Sequence, residues 1–247
     1  MIALVILFFA SMWAGAQNAL AGGGSFITLP SLMFTGMDAR AANITSTVAL
    51  FPGQIATGLT GRAHVTGAAG LSFWVLVAIS LVGGAVGAML LLITPPSFFA
   101  HLVPWLVLFA TGVFAWGSFG PKREGKSAPL GRWGAAGAQF LISVYGGYFG
   151  GGIGFLMLAA LTAAGLVIRN AGATKNVLGA VMNASAVAIF AFSPEVRWLQ
   201  AGIACVGAII GGVTGGMMLK RIDERYLRIV VITIGVALTV GLFLKAR

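Results

Sequence analysis

Two glycine clusters and one lysine offer most of the chemistry in this sequence. Gly22, Gly23 and Gly24 precede Ser25, and Gly150, Gly151 and Gly152 precede Ile153, each cluster inside an apolar stretch. Glycines let successive backbone N–H groups turn toward one point, and such nests bind anions. A helix that starts just after them adds a partial positive charge at the same place. Ser25 stands where an N-cap or a ligand hydroxyl would stand. Polar residues follow each cluster: Asn43, Thr45, Ser46 and Thr47 after the first, Thr174, Lys175, Asn176 and Asn183 after the second. Lys175 is the sharpest, because a cation inside an apolar helix is costly and usually faces a bundle interior or a wet cavity. Arg169 is a second, less certain cation. Donors and cations together suit a small anion. Against this stands a plainer reading, in which the glycines only let helices pack closely and Lys175 snorkels to an interface. Gln17, Asn18, Gln54, Tyr145 and Tyr148 are weaker candidates, equally readable as packing or as bonds between helices.

What the chain lacks narrows the chemistry further. Its acidic residues, Asp38, Glu124, Glu195, Asp223 and Glu224, all fall in expected loops. No carboxylate is left inside the membrane for a proton pump, and no cluster of them for Ca²⁺ or Mg²⁺. His64 and His101 have no metal-ligand spacing. A phosphate-binding GxxxxGK[ST] loop is missing, which argues against ATP hydrolysis. Cys205 is the single cysteine, so one chain can form neither a disulfide nor a cysteine metal cluster. With no nucleophile–base pair in view, we expect neither an enzyme nor a cofactor. Sodium held by backbone carbonyls of unwound helices stays open as a coupling ion.

The elements that must position these residues are transmembrane helices. Of 247 residues, 59% are hydrophobic and 8% charged, against about 25% charged in soluble domains. Apolar runs near 42–61, 71–94, 102–117, 173–192, 199–219 and 227–244 approach bilayer-crossing length. The net charge of +10 lies mainly between these runs, so it sets topology against an anionic leaflet and gives no reason to expect a nucleic-acid partner. Residues 1–22 resemble a signal peptide but lack a basic start and end in the first glycine cluster, so we read them as retained.

The chain also repeats itself. Gly36, Arg40, Thr45 and Val48 match Gly165, Arg169, Thr174 and Val177, each 129 residues on. GGAVGAML from Gly83 matches GGVTGGMM from Gly211, 128 residues on. Two halves, 1–120 and 133–247, are therefore expected around a cytoplasmic linker at 121–132. Each glycine cluster sits in a stretch too long for one straight helix; at 1.5 Å per residue, 2–37 would run about 54 Å. Each stretch should break into two short helices, as a hairpin or re-entrant pair. If each returns to its own side, Arg40, Arg197, Lys245 and Arg247 share one face and the other eleven Lys and Arg share the opposite one. That bias places both termini outside and gives each half three full-spanning helices as well, so the halves are inverted relative to each other.

AGGGSFITLP with Gly36 and 41–47, and YGGYFGGGIGFLML with NAGATKNVL at 170–178, resemble the TauE/SafE family of sulfite exporters and related anion permeases through nearly the whole chain. The second unit lacks a counterpart of Pro30, so the two half-sites need not be equivalent. The resemblance implies an inner-membrane secondary transporter for sulfite, a small organosulfonate or another organic anion. Export by alternating access is the expectation; an anion channel of the same fold and a permease for a short carboxylate are the alternatives. The partners expected are a small anion and the lipid bilayer, and the oligomeric state is left open.

Overall fold

The computed structural model describes residues 1–20, 23–60, 62–119, 130–218 and 224–245. Gly22, the linker over 121–129 and several cations of the charge count (Lys122, Arg123, Lys126, Lys220, Arg221 and Arg247) lie outside the described residues. Among the described residues there are ten α-helices: α1 (Ile2–Leu20), α2 (Ser25–Phe34), α3 (Ala39–Thr60), α4 (Phe73–Ile93), α5 (Pro96–Phe119), α6 (Arg132–Tyr148), α7 (Ile153–Ala163), α8 (Ile168–Phe190), α9 (Trp198–Met218) and α10 (Glu224–Lys245). The expected apolar runs correspond in order to α3, α4, α5, α8, α9 and α10. By length and composition α4, α5 and α8 are long and apolar enough to cross a membrane.

Helices stop where the repeated glycines stand. Between α1 and α2, Gly23 has φ +85°; between α6 and α7, Gly150 and Gly152 have φ +83° and +73°. Side-chain-bearing residues avoid this left-handed region at a cost of roughly 1–2 kcal/mol, so the breaks need glycine. The second repeated glycine has a different task. Gly36 and Gly165, at φ +93° and +94°, terminate α2 and α7. At Gly165 the closure is complete: its N–H reaches Thr162 O at 3.0 Å and Leu166 N–H reaches Leu161 O at 3.1 Å, satisfying carbonyls that a helix end leaves open.

Packing joins the halves more than it separates them. α1 lies on α9, α6 on α4, α3 on both α8 and α9, and α8 also on α4. Counting five helices to each half, exchange of the halves turns α1–α9 into α6–α4 and α3–α9 into α8–α4, and carries α3–α8 into itself. The GGAVGAML and GGVTGGMM segments explain the close approach. A Cβ on Gly87 would collide with the Val144 carbonyl of α6, and one on Gly211 with the Met12 carbonyl of α1. Small residues at helix crossings let backbones touch and gain dispersion contact that lipid tails cannot supply.

α3 and α8 run antiparallel through the middle of this arrangement. Thr45, near the start of α3, accepts a hydrogen bond from the N–H of Arg197 beyond the end of α8 (3.3 Å). Thr174, near the start of α8, accepts from the N–H of Thr66 beyond the end of α3 (3.1 Å) and donates to Thr66 O at 3.3 Å. Between these points Asn183 Nδ2 donates to Gln54 Oε1 at 2.6 Å.

Candidate functional site

The two antiparallel helices turn polar faces toward one cavity of about 120 Å³. Asn43, Ser46, Thr47, Gln54 and Thr57 contribute from α3, and Lys175, Asn176 and Asn183 from α8. With Leu50 on α3 and Gly179 and Ala180 on α8, which also line it, spacings of three and four put each set along one face of its helix. Both helix breaks close in from the sides, with Gly23 and Ser25 at the start of α2 and Gly150, Gly152 and Gly154 at the start of α7. Phe114 of α5 completes the wall. Its ring meets Phe155 edge-on at 4.7 Å between centroids and Phe26 at 6.2 Å. Phe26 and Phe155 are themselves 129 residues apart.

Other expected site residues have different surroundings. Thr45 is fully buried and bonded to the loop before α9, away from the cavity wall. Gly24 packs under α1, where a Cβ would sit 2.8 Å from Ala14 O, and its N–H lies 3.5 Å from Asn18 Oδ1. Gly151 gives its carbonyl to the Tyr145 hydroxyl at 2.8 Å. Arg169 is exposed in the first turn of α8 and does not line the cavity. Of the weaker candidates, Asn18 and Gln54 line the wall, whereas Gln17 is buried elsewhere with neither amide atom bonded among the described residues.

The hydrogen bonds decide what each wall can offer. Asn43 Nδ2 donates to Tyr148 O at 3.0 Å, tying α3 to the end of α6. Thr47 and Thr57 spend their hydroxyl protons on Asn43 O (3.0 Å) and Gly53 O (2.9 Å). Ser46 Oγ lies 2.6 Å from Thr28 Oγ1, behind the wall. Facing them, Lys175 Nζ rests against Gly154, 3.5 Å from where a Cβ would be. Lys175 makes no hydrogen bond or ion pair among the described residues. The N–H groups of Gly152, Ile153 and Gly154 likewise have no partner there, as expected for a helix start without a side-chain cap. The α7–α8 side thus concentrates unspent donors and one uncompensated cation.

Sequence reasoning ranked Gln54 low and passed over Thr28 and Phe114. For Gln54 the signal existed: it stands 129 residues before Asn183, the spacing of the other repeated residues. Position 154 shows why the half-sites differ. The residues equivalent to Gly154 and Lys175 are Ser25 and Ser46, so a lysine beside a bare glycine replaces two hydroxyls.

The sulfite exporter TauE/SafE family model matches residues 7–242. The chain belongs to the TauE/SafE family. Relatives of this TauE/SafE chain include a probable membrane transporter protein of Haemophilus influenzae, 28% identical across 96% of this chain and 92% of that protein. The probable membrane transporter protein YfcA of Escherichia coli K12 is 27% identical across 97% and 89%. The probable membrane transporter protein ORF9 of a Sinorhizobium species is 27% identical across 97% and 92%. No solved structure matches it significantly. The TauE/SafE chain is thus a membrane-embedded protein of a transporter family.

Proposed function

We propose that this protein is a secondary transporter for a small anion, sulfite or a small organosulfonate, which it exports across the inner membrane with both termini outside. The observation that carries the reading is Lys175, a cation with no partner among the described residues, in a cavity wall beside the uncapped start of α7. An unpaired charge is expensive in a membrane helix, so its retention at a cavity makes sense when a ligand supplies the counter-charge. The oxyanion would bind Lys175 and the N–H groups around Gly152, with Asn176 and Ser25 donating at its edges. The two halves form an inverted repeat, each with a glycine-broken hairpin, and rock alternately around this site. Antiparallel α3 and α8, and the exchange of packing pairs between halves, support that inversion.

The cavity follows α3 from Asn43 to Thr57 and α8 from Lys175 to Asn183, the middle of each helix. At the end where α3 begins, Arg40 donates to Glu195 Oε1 at 2.7 Å and to Thr94 O at 2.7 Å, joining the two halves.

The test is thermal stabilisation of the purified protein in detergent across sulfite, sulfate, thiosulfate, short sulfonates and short carboxylates. A ligand at a hundred times its Kd stabilises by about 2.7 kcal/mol. A shift with sulfite or a sulfonate that Lys175→Ala abolishes is the expected result. A folded protein that none of these anions stabilises would overturn the assignment of substrate.

A further inference from the structure

We infer that Gln54 and Asn183 are positioning residues that form the fulcrum of the transport movement, a contact the protein keeps while the two halves exchange conformations. The inference rests on the alternating-access reading above and goes beyond it by naming the point that does not move. The two residues are 129 apart and 2.6 Å from each other. In the repeat they are one and the same position, so their contact lies on the pseudo-two-fold axis that relates the halves. When two related halves trade conformations, a contact between residues i and j becomes the contact between their equivalents. For a self-paired contact the equivalents are the same two residues. The bond is therefore carried into itself, with only the donor and acceptor roles open to reversal. Both side chains are primary amides, each with an N–H₂ and a carbonyl, and can make the bond in either sense. A serine, lysine or carboxylate at either position could not do so at constant charge and reach.

The clamp at the start of α3 behaves in the opposite way. Arg40 pairs with Glu195, two residues before Arg197. The 129-residue spacing of the repeat sets Thr66, which carries no charge, at the position of Glu195. Arg40 itself matches Arg169, which is exposed and makes no ion pair among the described residues. Exchange of the halves thus removes the Arg40–Glu195 ion pair without creating a twin at the other end. One end is latched by charge, the axis by amides.

The test reads distances in liposomes, so it does not depend on knowing the transported anion. In a Cys205→Ala background, spin labels at Ile55→Cys/Ala184→Cys flank the fulcrum and leave its bond intact. Labels at Met37→Cys/Pro194→Cys flank the clamp. Dipolar broadening is recorded with and without sodium sulfite. The 55/184 pair should give one narrow distance and the 37/194 pair two populations. Gln54→Ala should broaden the 55/184 distance, and the exchanged variant Gln54→Asn/Asn183→Gln should restore it along with the wild-type Tm. Two populations at 55/184 alongside two at 37/194 would overturn the fulcrum and leave alternating access standing. A single population at both pairs would overturn alternating access and the fulcrum with it. An exchanged variant that melts no higher than Gln54→Ala would overturn the reversible amide bond.

Discussion

Replacing Lys175 with alanine separates two effects that an ordinary stabilising residue combines. A desolvated charge without a partner opposes folding, so its removal should leave the Tm of the ligand-free protein unchanged or higher. The same variant should lose the sulfite-dependent rise in Tm. Melting curves with and without sulfite check both halves of this statement, and a large fall in the ligand-free Tm would make Lys175 a structural residue. Thr45→Val is the complementary case. It removes the acceptor for the Arg197 N–H (3.3 Å) in a fully buried place, at an expected cost of about 1–3 kcal/mol. Ligand-induced stabilisation should survive it. The sequence suggested Thr45 as a ligand and matched it to Thr174, because both recur after the glycines. Recurrence was real, but its cause is that each threonine holds a loop of the opposite half, and only the fold brings Arg197 and Thr66 to them.

Among the helices, most of the architecture was legible as apolar runs, and the breaks as glycine clusters, because bilayer length and left-handed backbone leave strong marks on composition. Glycine identity alone does not say which task a glycine performs, so substitution to alanine should sort them. Gly152→Ala places a side chain at φ +73° with Ala110 O at 3.1 Å from the new Cβ, and should cost roughly 1–2 kcal/mol. In helix α8, Gly172 has open space around a Cβ, so Gly172→Ala should stabilise by about 0.5–1 kcal/mol. Chemical unfolding in detergent compares the two. A larger residue at Gly87 would push α4 off the Val144 carbonyl of α6, and Gly87→Val should lower Tm more than Gly172→Val does. The second glycine motif was recognised in the sequence as part of the repeat, yet its use at the α4–α6 and α1–α9 crossings could not be read there. Partners 57 or more residues away in the chain are a property of topology.

For the molecule as a whole, the feature with the widest consequence is that α1 packs on α9 and α4 on α6. Helices α1, α3, α4 and α5 of the first half each find their main neighbour in the second, and Thr45 and Thr174 fasten loops across the same divide. A ribosome delivers these partners at different times. Helix α1 enters the membrane nearly two hundred residues before α9 is made, and until then the face that carries Gly15 lacks the α9 backbone it packs on. A cell that makes residues 1–125 alone should therefore degrade them. Two fragments, 1–125 and 126–247, made together should rescue each other and co-purify. The repeat that shapes the transporter thus also makes its biogenesis a joint act: neither half is finished until the last helices arrive.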